Sequence, residues 1–141
     1  MGRWVALNKS QQIIGHVGVT RVVDDEKAVV WKKALDYPLS RLAEIGRLLI
    51  HPDYRKAGVS TQLTRACLRG IIERGMIPVA TSLASATASL SMMTSLGWRV
   101  VGSVTGGPSN LELNMLIAPQ KLTDAALSKP FTPPMQGVDS N

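Results

Sequence analysis

Leu48-Leu49-Ile50-His51-Pro52-Asp53-Tyr54-Arg55-Lys56-Ala57-Gly58-Val59-Ser60, residues 48–60, is the stretch on which the fold turns. It opens as the end of an apolar run, Glu44–Ile50 (EIGRLLI), that reads as a β-strand. Pro52 has no N–H to give a ladder, so regular pairing stops there. A loop from Asp53 to Gly58 then feeds directly into the clearest helix of the chain, Val59 to about Arg74. Val59, Leu63, Ala66/Cys67 and Gly70/Ile71 recur at helical spacing, while Gln62, Arg65, Arg69 and Glu73 fall largely on the other side. Gly75 suits a left-handed terminator. A junction of this kind points free backbone N–H groups and the positive end of a helix at one place. Gly58 lets a ligand approach the backbone with no Cβ in the way, and Arg55 and Lys56 add full charges beside it. These residues suit a pyrophosphate; they equally suit a solvated loop that caps a helix.

Working outward, Arg3–Leu7 and Ile13–Val23 read as strands, the second rich in β-branched residues and alternating through His16, Gly18 and Thr20. Asp24–Ala43 is ambiguous. Its acids could start a short helix ending at Lys32-Lys33, but Ala28-Val29-Val30-Trp31 is poor helix material, and a hairpin strand is the preferred expectation. Met76–Leu83 returns as an apolar strand, and Ser85–Leu96 reads as a helix opened by a Ser/Thr cap and closed by Gly97. Trp98–Val104 and Leu111–Ile117 are two final strands around Gly106-Gly107-Pro108. This order gives an α/β (α+β) sandwich around a mixed sheet, over residues 1–118. From Pro119 the composition changes; beyond one possible helical turn at Thr123–Leu127, residues 119–141 are expected to be a largely extended or disordered Pro-rich tail.

Composition bounds the function. With 141 residues, 45% of them hydrophobic, the chain fits one globular domain. No apolar run approaches the ~20 residues of a membrane helix, and no secretory signal is evident. One cysteine, Cys67, excludes an internal disulfide framework and fits a reducing cytoplasm. One cysteine and two histidines, His16 and His51, argue against a structural zinc site. The net charge of +6 invites an anionic partner. No run of five like charges and no aromatic platform accompanies it, so a local anion site is favoured over a nucleic-acid surface. P-loop, dinucleotide-fold and α/β-hydrolase motifs are all missing.

Residues 48–60 resemble the signature of the GNAT superfamily of acyl-CoA-dependent N-acyltransferases, Arg/Gln-x-x-Gly-x-Gly/Ala after a strand and a Val/Ile-x-Pro. Arg55, Gly58 and Ser60 stand at its three fixed positions, Ser60 departing from the usual Gly or Ala. The order of elements from Arg3 to Ile117 is similar too. The resemblance implies a mixed, mostly antiparallel sheet flanked by helices, with a strand–helix–strand–helix core. It implies that Arg55, Lys56, Ala57, Gly58, Val59 and Ser60 hold the pyrophosphate of coenzyme A. Leu48, Leu49 and Ile50 would pair with the pantetheine arm on a strand splayed from its neighbour, and an N–H near Leu49 would polarise the thioester carbonyl. Glu44, eleven residues before Arg55, is then the base that takes the amine's proton. The product would be an acylated primary amine, with acetyl the expected group, formed by direct attack, since no residue looks like an activated nucleophile.

The chain also departs from the family. The tyrosine that commonly protonates the leaving thiolate is replaced by Met93, and an earlier asparagine by Ala86. The family's first strand and two helices, which wall the acceptor site, are missing before Arg3. Asp24–Ala43 or a partner subunit would have to supply that wall, which points to a homodimer. Glu44-Ile45-Gly46-Arg47-Leu48 also resembles acyl-homoserine-lactone and N-acyl amino acid synthases, which take acyl groups from a carrier protein. A coenzyme A binder without catalysis is a further alternative.

Overall fold

The computed structural model describes residues 2–55, 58–106 and 110–132, with the Arg47 side chain left out. The elements run β1 (Gly2–Leu7), β2 (Ile13–Arg21), α1 (Glu26–Ala34), β3 (Leu42–Ile50), α2 (Val59–Glu73), β4 (Ile77–Leu83), α3 (Thr87–Ser95), β5 (Arg99–Gly106), β6 (Leu111–Ile117) and α4 (Gln120–Leu127). One six-stranded sheet has the order β1-β2-β3-β4-β6-β5. Every pairing is antiparallel except β3 with β4. The mixed, mostly antiparallel sheet expected from the sequence is therefore present.

Side-chain alternation along the strands splits the core between two faces. Val17, Val19, Ala43, Ile45 and Ala80 pack with the buried α2 stripe, Val59, Leu63, Cys67 and Ile71. On the other face Leu42, Val79, Met115 and Ile117 pack with Trp31 of α1. Gly75, at φ +69, ends α2: its N–H bonds the Ile72 carbonyl, and the Met76 N–H reaches back to Ile71.

The hairpin expected over Asp24–Ala43 is corrected to the helix α1. Asp25 caps it, its carboxylate accepting from the N–H groups of Lys27 and Ala28, and Lys32 and Lys33 close it. Trp31, fully buried, donates its indole N–H to the Leu116 carbonyl at 3.2 Å. Burying that side chain on the sheet outweighs the weak helix propensity of Val-Val-Trp, a difference of only about 0.5 kcal/mol per residue from alanine. The Ser/Thr cap expected for the second long helix does not form; Ala86 takes the cap position of α3 and no side chain caps it.

Beyond 118, where an extended tail was expected, the chain continues as α4 and buries Thr123 and Ala126 against α2 and β4. The following residues return to the end of α2: the Thr132 N–H donates to the Arg74 carbonyl, and the Arg41 guanidinium donates to Gly75 and lies over the Phe131 ring. Residues 133–141 of the expected tail lie outside the described residues. A Cβ on Gly75 would come within 2.7 Å of the Pro130 carbonyl oxygen and 2.9 Å of that of Lys129. Gly75→Ala is therefore expected to lower stability by about 2–4 kcal/mol, from the left-handed backbone and the clash together, read as a shifted urea midpoint.

Candidate active site

The one parallel pairing is short. It runs from Leu42↔Ile77 to Ile45↔Ala80; β3 then continues to Ile50 paired only with β2, while β4 stays with β6. The cause lies on the other edge of β3. His16 opposes Leu49 and Gly18 opposes Gly46, so Val17 faces two residues, Arg47 and Leu48. Such a bulge adds twist and turns the strand end away from its neighbour. The His51 N–H donates to the Ile14 carbonyl at 2.8 Å, with Ile50 opposite Gly15. Successive N–H groups alternate edges in an antiparallel ladder, so the Leu49 N–H points at β2 and the Ile50 N–H at the open edge.

The splay leaves a cleft of about 270 Å³, walled by Leu48, Thr64, Leu83, Ser89, Met93 and Trp98 among others. Its lining is largely apolar. Thr64 is one helical turn from Ser60, so the cleft runs toward the start of α2. That start is open. Gly58 occupies the cap position at φ +80, no side chain among the described residues caps the helix, and its N-terminal bond is Gln62 N–H to Gly58 O. A Cβ built on Gly58 meets nothing within 4 Å. The first N–H groups of a 15-residue helix thus have no capping side chain among the described residues, an arrangement suited to an anion.

The approach to this helix is braced. The His51 imidazole accepts from the Asp53 N–H at 3.1 Å and meets the Tyr54 ring edge-on. The Tyr54 hydroxyl accepts from the Asn8 amide at 3.2 Å. Arg55 is exposed beside the helix start, and Lys56 and Ala57 lie outside the described residues.

Through the sheet, on the α1 side, lies a second cavity of about 440 Å³. Glu44 projects into it. Both its oxygens take bonds from the Lys27 ammonium, at 3.0 and 3.1 Å, and one also accepts from the Thr81 hydroxyl at 3.3 Å. The Glu44 side chain is 13% exposed. Gly46 and Thr81 line both cavities, so the two meet across the splayed strands. The structure puts Glu44 in the one cavity and Leu48 in the other, on the two sides of this crossing, while Ile50 lines neither and packs beside Val59 and Leu63.

Some of the site is not singled out by the sequence. Lys27 reaches Glu44 only because residues 26–34 are helical, and Thr81 carries no motif at all. Gly46, which opens the crossing, could have been noticed as the one side-chain-free position in Glu44–Ile50. Met93 does line the cleft, where a thioether can donate no proton. Cys67 is fully buried, and burial pushes its thiol up to about 12, which leaves no thiolate for nucleophilic work at neutral pH. Among the described residues no group of three or more His, Cys, Asp or Glu is placed to hold a metal ion, and no helix is long and apolar enough to cross a membrane.

Residues 16–105 match the family described as FR47-like protein. No curated protein matches the chain. Solved structures do. The ribosomal-protein-S18-alanine N-acetyltransferase from Escherichia coli aligns with a TM-score of 0.60 at 14% identity, over 83% of this chain and 67% of that one. A putative acetyltransferase from Acinetobacter baylyi ADP1 aligns at 0.60 with 20% identity, over 79% and 59%. The NatC complex bound to Gag peptide and CoA aligns at 0.63 with 15% identity, over 83% and 70%. The chain thus spans 59 to 67% of the length of the first two. At such identities the likeness establishes the fold.

Proposed function

The chain belongs to the FR47-like protein family, a GNAT-type domain, and from that premise we propose that it is an acyl-CoA-dependent N-acyltransferase, acting with acetyl-CoA on a primary amine. The observation that carries this is the splay of β3 from β4, leading straight onto an open, uncapped helix start at Gly58. A flexible arm fits the cleft and a pyrophosphate fits the helix start. Val59 and Ser60 would supply N–H donors there, Arg55 a countercharge, and Lys56 and Ala57 the rest of the loop. Leu48, Leu49 and Ile50 would flank the arm. Edge alternation favours the N–H of Ile50, which faces the open edge, over the Leu49 N–H, which faces β2, as the donor to the thioester carbonyl.

Acyl-CoA supplies an activated acyl group. The chain's part is to remove a proton and to hold the partners in line. Glu44 accepts the proton of the attacking amine, oriented by Lys27 and Thr81. The new C–N bond forms as the C–S bond breaks. With Met93 in the cleft wall, the thiolate leaves under hydrogen bonding from water or Ser89, and its pKa near 8.5 makes that tolerable at neutral pH. Calorimetric titration with acetyl-CoA is expected to give saturable binding, followed by amine-dependent thiol release. Failure to bind would overturn the proposal; binding of acyl-carrier protein instead would favour the carrier-dependent alternative.

We also propose a homodimer. β1 is an edge strand with one side unpaired, and Val5 and Leu7 are exposed on its face away from α2. Light scattering is expected to return twice the 15.2 kDa chain mass, and a monomer at all concentrations would refute this.

A further inference from the structure

The cavity on the Glu44 side has a definite charge pattern. Arg3 of β1 opposes Gly18 of β2, and Gly18 opposes Gly46 of β3. Neither glycine carries a side chain, and a Cβ on Gly46 would meet nothing within 4 Å. An open trough therefore crosses two strand spacings, about 10 Å, from Arg3 to the strand that carries Glu44. Arg3, Glu44, Lys27 and Thr81 all line it.

At the β3 end Lys27 and Glu44 neutralise each other through their two-point contact. At the β1 end Arg3 has no ion pair or hydrogen bond among the described residues. The trough thus holds a paired carboxylate at one end and, at the other, a guanidinium with no ion pair among the described residues, which also borders a neighbouring hollow lined by Glu73 and Arg74. His16, also on its wall, brings no negative charge. A guanidinium presents a fork of donors that matches a carboxylate or phosphonate in two-point contact.

We infer that the acceptor is an amine bearing its own anionic group, of the amino-acid type, with the amine at Glu44 and the anion at Arg3. This rests on the proposed acyltransferase function. A polyamine or a lysine side chain in a basic peptide would bring a second cation against Arg3 and is disfavoured by the same field. Truncation of Arg3 removes the anion's partner and leaves Glu44, Lys27 and Thr81 in place.

The test uses the full chain with acetyl-CoA, monitoring thiol release with free α-amino acids, their matched α-amino amides, and spermidine. At least one amino acid is expected to exceed its amide in kcat/KM by roughly 10- to 100-fold, the range for a hydrogen-bonded charge pair. In Arg3→Gln that ratio should collapse toward one, through KM more than kcat. Spermidine or the amides preferred over every amino acid would overturn the acceptor assignment. So would an amino-acid preference that Arg3→Gln leaves intact. Acetyl-CoA binding without turnover of any amine would overturn the assignment and the catalytic function with it. Absence of acetyl-CoA binding would overturn the proposed function at its root.

Discussion

Gly58→Glu is expected to weaken acetyl-CoA binding at least 100-fold, about 2.7 kcal/mol, in the calorimetric titration. Three effects add. The side chain enters space that is empty within 4 Å of the Cβ, so it occupies the concavity instead of disturbing the core. Its carboxylate places negative charge where a pyrophosphate would lie, at the positive end of α2. The left-handed backbone at φ +80 costs a non-glycine residue about 1–2 kcal/mol, which can shift the cap N–H groups without unfolding the domain. Gly58→Asn separates these effects, since asparagine tolerates the conformation and carries no charge. It should retain more affinity than the glutamate variant. Unchanged binding in Gly58→Glu, with circular dichroism like the wild type, would place the coenzyme elsewhere.

Glu44→Gln should lower kcat by about 10²- to 10⁴-fold at neutral pH, the usual range for loss of a general base. Glutamine keeps the shape and can still accept from Lys27 and Thr81, so the pocket should hold its form. A merely structural role for Glu44 predicts a small effect that does not vary with pH. A base predicts a deficit that shrinks as pH rises. The free amine fraction then grows unaided, near pH 8 for an α-amine and above 10 for an alkylamine. A kcat within threefold of wild type across that range would remove Glu44 from the mechanism.

The strand–loop–helix over residues 44–74 was legible because its signals are local. The α2 stripe at Val59, Leu63, Cys67 and Ile71 is a matter of periodicity, and Pro52 and Gly58 act on their own backbone. The segment 24–34 was not legible. Val-Val-Trp favours a strand by propensity, and only the burial of Trp31 beneath a carbonyl 85 residues away reverses that preference. Likewise α4 is short and proline-preceded, and it is held by α2 and β4, not by its own sequence.

At the site the same division holds. Sequence alone determined that a helix begins at a glycine after a strand, because capping and backbone freedom are properties of neighbouring residues. It also set the eleven-residue separation between Glu44 and Arg55 in that loop. Tertiary structure decided which edge each N–H of β3 faces, because a bulge opposite Val17 exists only once β2 and β3 are in register. It decided that Glu44 is held by Lys27, and that Arg3 looks across two glycines toward the same cavity. Those relations join residues from different strands and a helix, and no local preference of the chain encodes them before the sheet has assembled.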